Sequence, residues 1–551
     1  MSTGTVTPYR SPQRPGRDDF PHLLRAEWTK FRSVRGWVIA MIAAALLTAL
    51  AVVAIASSAN GKQNPAANPT VAIGPGGEAV TDSFYFARQP LDGNGTITAR
   101  ITSLADGELA GQGPGTSTHT AQPWAKAGIM IKASTAAGSA YAAVMATPGH
   151  GVRMQWNFTN DLAGLPGTPS AASPRWLRLT RSGDTVTGYD STDGTHWTEI
   201  GTATLTGLPS TVQAGLFAAS PPYVAGSQGF ASNNGPGGID THIAASFDHV
   251  SLAGGRVGGA WTAGHVGFDT GPGPAAGRIS VNGSAAPATR HCTSHGTGCK
   301  GIAGLPPYRF TQAGGRLTLS GSGGDVAPYT SIVDPLGTVL KGTAVGLLAV
   351  IALGALFITA EYRRGLIRTT LVASPRRGRV LAAKAIVIGS VTFVAGLVGT
   401  AVAMPIAERK LHTGGWVSSV YPVWALTSGH GLQIVVGTAG LLAVAAILAL
   451  SAGTLLRRSA AAITAVVGLL IVPVILGVIL PQGPADWVLR LTPAAAFGLQ
   501  EGTPQYSQVM HTCEPYNGCF PLAPWNGFIV ACVWAVAALA LAAYVLRRRD
   551  A

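Results

Sequence analysis

The chain has 551 residues, of which 47% are hydrophobic and only 11% charged, with a formal net charge of +14. So little charge excludes a single soluble globular fold, in which about a quarter of the residues are charged. Glycine (72) and proline (36) lie thickest between residues 57 and 340 with no strict period, which excludes collagen, and five cysteines are too few for a disulfide-dense secreted scaffold.

Residues 1–36 are polar and basic, and their last part, His22 to Trp37, predicts an amphipathic helix at a membrane surface. Leu23, Leu24, Trp28 and Phe31 share one face there, while Arg25, Lys30, Arg32 and Arg35 face lipid headgroups. The run 37–56 is free of charge and long enough for one crossing of the hydrocarbon layer. Its long basic approach and its length make it a retained helix rather than a cleaved signal. Five more runs follow at about 342–360, 385–406, 431–453, 460–480 and 525–546. The chain is therefore expected to be a multi-pass α-helical membrane protein with six transmembrane helices.

Four segments, 1–36, 361–384, 457–458 and 547–551, hold 19 basic against 5 acidic residues and so carry the whole net charge. The positive-inside rule then places both termini in the cytoplasm and residues 57–340 outside. Anionic membrane lipid accounts for this charge, and no nucleic-acid motif accompanies it.

Residues 57–80 read as a linker. From 81 to 252 short strand-like pieces separated by glycine and polar turns predict an all-β sandwich inserted between helices 1 and 2. In RWLRLTRSG, Leu177 and Leu179 share one strand face and Arg178 and Thr180 the other. Asp193-Gly194 predicts a two-residue hairpin turn. Asp190, Asp193 and Glu199 crowd one hairpin, but strand turns carry acids routinely, so no catalytic residue is assigned and the chain is not expected to be an enzyme. Residues 253–340 form a glycine-rich β region, either an extension of this sandwich or a second small one. Cys292 and Cys299 are expected to form an external disulfide in preference to a zinc site with His291 and His295, and Cys513 and Cys519 a second one. No metal or cofactor is assigned.

The pieces WAKAGIMIKAS (124–134), PRWLRLTRSGDTVTGYDSTDGTHWTEIG (174–201) and FDHVSL (247–252) make this insertion resemble the concanavalin-like, laminin-G-like jelly rolls of bacterial surface proteins. Trp124, Trp156 and Trp176 are then candidates for stacking on a cell-surface glycan, beside their ordinary use as core residues.

The remaining 341–551, with EYRRGLIRTTLVASPRRGRVLAAK, GTLLRRSAAAI, IVPVILGVILP and WVLRLTPAAAF, resembles the permease subunits of ABC-2 type exporters in their actinobacterial form. The resemblance implies a bacterial plasma-membrane permease, working as a homodimer or heterodimer with a separate cytoplasmic ABC ATPase. It implies interfacial-helix roles for Arg25, Glu27, Trp28 and Lys30. It also implies a coupling element over 361–384 with roles for Glu361, Tyr362, Arg363, Gly365, Arg368, Pro375 and Arg377. The chain has no GxxxxGK[ST] phosphate loop, so ATP hydrolysis belongs to the partner subunit. Few charges interrupt the spans, which suits an apolar or amphipathic cargo. The large external insertion departs from simple members of that family. It leaves an alternative reading, a membrane-anchored extracellular carbohydrate-binding or sensing protein without transport.

Overall fold

The computed structural model describes residues 20–59, 71–106, 122–221, 223–224, 238–239, 241–254, 260–267, 309–322, 324–329, 334–363, 365, 376–416, 421, 424–480, 482–503, 506–509 and 520–548. The chain begins with α1 (Phe20–Ser33) and α2 (Arg35–Ser58), which are separated by Val34 in an extended conformation. After the β-rich insertion come α3 (Pro335–Leu340), α4 (Thr343–Arg363), α5 (Arg377–Thr413), α6 (Gly429–Leu456), α7 (Ser459–Ile479) and α8 (Gln482–Leu491). A 3-10 stretch over Pro493–Gln500 and then α9 (Pro524–Arg548) complete the chain. Among the described residues six helices are long and apolar enough to cross a membrane, with α3 and α4 counted as one span. The architecture is multi-pass and membrane-spanning, and each expected apolar run lies in one of these helices.

α6 is the central helix. It packs against α4, α5 and α9 and is buried along nearly its whole length, whereas α2, α7 and α9 leave most of their apolar surface uncovered. Glycines allow close approach at its contacts: a Cβ at Gly354 of α4 would lie 2.4 Å from the Ala446 carbonyl oxygen of α6. α5 has 37 residues, a length of about 55 Å against about 30 Å of hydrocarbon, so it projects beyond the layer.

The insertion contains β1 (Ala72–Ile73), β2 (Ala79–Asp82), β3 (Phe84–Asp92), β4 (Gly95–Asp106), β5 (Lys126–Lys132), β6 (Tyr141–Thr147), β7 (Gly151–Trp156), β8 (Asn160–Ala163), β9 (Arg175–Ser182) and β10 (Thr185–Ser191). It continues with β11 (Thr198–Thr204), β12 (Thr211–Ala219), β13 (Tyr223–Val224), β14 (Gly238–Ile239), β15 (His242–Ala253), β16 (Thr262–Val266), β17 (Arg309–Ala313), β18 (Arg316–Ser322) and β19 (Val326–Pro328). Two seven-stranded sheets, ordered β11-β10-β9-β4-β15-β18-β17 and β16-β3-β12-β5-β6-β7-β8, face each other across one apolar layer that includes Ile97, Leu177, Leu179, Ile129, Val144 and Leu216. β16, β17 and β18 therefore join the sheets already built by the earlier strands. β5 and β6 are buried at every residue because the second sheet is covered on both faces: by its partner sheet on one side and by the β1-β2-β19 sheet on the other.

β2 and β19 are also the two stems of the insertion, one arriving from α2 and the other leaving for α3. They pair antiparallel, Asp82 opposite Val326 and Val80 opposite Pro328. Below them Ala79 packs with Val52, Ala56, Leu336, Met404 and Trp416 at one end of the helix bundle. Asp334 caps α3, accepting from the Gly337 amide at 2.8 Å and the Gly502 amide at 2.6 Å.

Two expectations are corrected. The structure contains no Sγ–Sγ pair among the described residues: Cys532 of α9 is free, and Cys292, Cys299, Cys513 and Cys519 lie outside the described residues. Short spacing and a suitable compartment give an opportunity for a disulfide, but the bond itself requires Cα atoms within roughly 4.4–6.8 Å and matched Cβ directions. The Asp193-Gly194 hairpin exists, since β10 pairs with β11, but it is not a two-residue turn. Asp193 instead accepts from the amides of Thr195 and His196, each at 2.8 Å, and only Gly194 takes a positive φ, of 77°. The side chain of Asp193 thus builds a wider loop in place of the backbone turn.

Candidate functional site

The charged site of the molecule lies at the end of the bundle opposite the insertion, where α1, the end of α4 and the start of α5 converge. α1 turns a narrow inward face made by Leu24, Glu27 and Phe31, at helical spacing, with Glu27 and Phe31 buried. Trp28 is 46% exposed on the rim, and Arg25 and Lys30 are exposed.

Glu27 is buried because Lys384 meets it. The Lys384 ammonium, fully buried on α5, donates to Glu27 Oε2 at 2.7 Å and to Glu361 Oε1 at 2.6 Å. Lys30 donates to Glu27 Oε1 at 2.8 Å and stands 3.8 Å from Glu361 Oε1. Two lysines and two glutamates, drawn from α1, α4 and α5, form one neutral cluster. The ring of Phe357 lies 5.0 Å from Lys384 Nζ, and Phe31 and Trp37 meet that ring edge-on at 6.1 and 5.6 Å. An isolated buried ammonium costs several kcal/mol, so the cluster holds together only as a set.

The expected coupling residues divide. Glu361 belongs to the cluster. Tyr362 lies half-buried, with the Arg457 guanidinium 5.3 Å from its ring centroid. Arg363 is exposed at the end of α4, and Gly365, at φ 68°, donates to the Tyr362 carbonyl at 3.2 Å, a left-handed helix stop. Arg377 donates to the Leu546 carbonyl at 2.9 Å and so joins the start of α5 to the end of α9. Arg368 and Pro375 lie outside the described residues. Lys384 was counted in the basic loop and assigned no role, yet it organises the site. The sequence signal was a single lysine in the otherwise apolar run VLAAKAIV.

In the sandwich one of the three candidate tryptophans is buried and two are half-buried. Trp124 is buried, with the His150 ring stacked on it at 3.8 Å and the Arg153 guanidinium 5.7 Å away. Trp176 is half-buried under Arg100 at 5.5 Å and beside His249 at 5.2 Å. Trp156 is half-buried against the inter-sheet core. The hairpin acids are likewise placed in turns and strands. Asp190 accepts from the Leu165 amide at 2.6 Å and Asp193 pairs with His196 at 2.7 Å, while Glu199 accepts from the Thr202 hydroxyl at 3.1 Å.

No family model matches this chain, and no curated protein matches it. Among solved structures, a functionally unknown protein from Saccharomyces cerevisiae is 14% identical, with a TM-score of 0.19, over 30% of this chain and 72% of the other. Scytalido-glutamic peptidase bound to a transition state analog inhibitor is 8% identical, with a TM-score of 0.24, over 43% of this chain and 98% of the other. Similarity this low supports no argument about fold or activity.

Proposed function

We propose that this chain is the transmembrane permease subunit of an ABC-type exporter, driven by a separate cytoplasmic ATPase and carrying the β-sandwich on its external face. The observation that carries the reading is the Lys384 cluster. It ties a surface helix, α1, and the end of α4 to the start of α5 at the strongly basic end of a six-span bundle. A push on α1 or on the connection between α4 and α5 is thereby transmitted to two membrane-spanning helices. That is the mechanical requirement for a subunit which responds to nucleotide chemistry it does not perform.

In this reading the basic end faces the cytoplasm of a bacterial cell, both termini are cytoplasmic, and 57–340 is external, as the positive charge of the flanks favours. The unit is a homodimer or heterodimer, and the cargo is apolar or amphipathic. We assign the insertion to the jelly-roll class, an assignment supported by its two seven-stranded antiparallel sheets and by the repeated passage of the chain from one sheet to the other.

The ATPase is expected to dock on the exposed basic surface around the cluster, not on the buried charges. Reversing Arg25 and Arg363 to glutamate together should lower recovery of the ATPase about tenfold or more while thermal stability and membrane insertion stay as in the parent protein. Unchanged recovery contradicts the docking surface.

A further inference from the structure

A second basic feature stands apart from the Lys384 cluster. Arg376, Arg377, Gly378, Arg379 and Arg547 line a cleft of about 390 Å³ between the start of α5 and the end of α9. Arg376, Arg379 and Arg547 are exposed, and none of the three forms an ion pair with a carboxylate among the described residues. Orienting a membrane protein needs positive charge near the span, but it does not need four guanidinium groups around one cleft.

Local structure brings them together. Arg377 is held to the Leu546 carbonyl, which fixes the spacing of the two helices. Gly378 leaves room for Arg547, whose Nη2 lies 3.1 Å from where a Cβ would stand. Arg376, at the N-cap of α5, makes no side-chain capping bond, so the positive end of a long helix dipole adds to the arginines. Guanidinium forks bind phosphate oxygens in pairs, which makes such a cleft complementary to a phosphate group.

We propose that this cleft binds a phosphate-bearing anion, and that an anionic phospholipid headgroup of the adjoining leaflet supplies it. The lipid source is favoured by what lies above the cleft on the same helix. Tyr544, 50% exposed with the Arg548 guanidinium 4.6 Å from its ring, marks the headgroup level, and Leu541 and Val536 continue as an uncovered apolar strip for acyl chains. A bound lipid would bridge α5 and α9 and neutralise arginines that otherwise repel one another. The inference requires only that the bundle spans a membrane and is independent of transport.

The test uses the full-length protein in mild detergent, titrated with phosphatidylglycerol or phosphatidylcholine and read by native mass spectrometry, with inorganic phosphate as a competitor in a separate arm. The parent protein should retain phosphatidylglycerol in preference to phosphatidylcholine. The combined change Arg376→Gln, Arg379→Gln and Arg547→Gln should weaken that retention roughly 100-fold. Removing equal charge at the opposite end of the bundle with Arg409→Gln, Lys410→Gln and Arg490→Gln, all exposed, should leave it nearly unchanged. Arg547→Lys keeps the charge and loses the fork, so it should give a smaller loss of its own in a protein whose folding is not in question. Displacement by millimolar inorganic phosphate with no lipid preference would assign the same site to a soluble phosphate. Equal retention by the parent and the cleft variants, or equal loss in the control, overturns the proposal.

Discussion

Buried lysines hold both ends of this molecule together, but they do so in different ways. In the insertion each lysine has one carboxylate: Lys132 meets Asp82 of stem β2 at 2.7 Å, and Lys126 meets Asp325, next to stem β19, at 2.6 Å. Lys132 also donates to the Ser139 carbonyl at 2.9 Å and is ringed by Phe84, Tyr141 and Phe158, with centroids 5.5 to 5.9 Å away. Burial pushes its pKa down, and Asp82 opposes that shift. At the basic end a single lysine is shared by two glutamates on two helices, and a second, exposed lysine stands by. One-to-one pairs clamp the sandwich to its stems in one register. A shared pair tolerates loss or displacement of either carboxylate, because the ammonium keeps a partner while helices shift.

This contrast predicts an order of effects. Lys384→Met should be the most damaging, because it leaves the buried Glu27 and the half-buried Glu361 with only Lys30 between them. A loss at the upper end of the 3–5 kcal/mol typical of a broken buried pair is expected in thermal unfolding of the detergent-solubilised protein. Asp82→Asn should follow at about 3 kcal/mol, since Lys132 then has no carboxylate, and adding Lys132→Met should restore much of the loss. Glu361→Gln should cost only about 1 kcal/mol, because Glu27 still compensates Lys384 and an amide still accepts a hydrogen bond. If Glu361→Gln proves as costly as Asp82→Asn, the distinction between a shared and a dedicated partner fails.

The smallest effect should come from the rim of the sandwich, where Arg100 makes two hydrogen bonds to Asp248, of 2.7 and 2.6 Å. The Arg100 hydrogen bond holds the Asp248 carboxyl down to about 2. An acid whose folded pKa is depressed stabilises the fold above its unfolded value, near 3.9, and that contribution fades as pH falls towards 2. Asp248→Asn should therefore lower stability by about 0.5 kcal/mol at neutral pH, and its melting curve should converge on that of the parent between pH 4 and 2. A difference that persists unchanged at pH 2 would place the effect in packing instead of charge.

Much of the fold was legible because its signals are local. An uninterrupted apolar run has few fates other than a membrane span or a buried helix, and all six runs became long helices. Alternation such as that of Leu177 and Leu179 against Arg178 and Thr180 marked a strand, and those leucines are fully buried. The site was less legible because its partners are far apart in sequence: Glu27 and Lys384 are separated by 357 positions and Asp82 and Lys132 by 50. Periodicity grouped Leu24 with Phe31, but nothing local to that stretch showed that Glu27 beside them is buried against Lys384. Lone charges in apolar runs, Lys384 above all, were the available clue, since a solitary buried ion requires a counter-ion somewhere else in the chain. The disulfide expectation rested on spacing and compartment, neither of which fixes the geometry of a bond.

The measurement that bears most directly on the proposed function is purification of the full-length protein from its own membranes in mild detergent, with its cytoplasmic partners identified by mass spectrometry and ATP hydrolysis assayed on the complex. The account predicts a stoichiometric ATPase bearing a phosphate-binding loop, with activity that falls when Lys384 is replaced by methionine. Repeated recovery of the intact protein alone, with no nucleotide-hydrolysing partner, would contradict it.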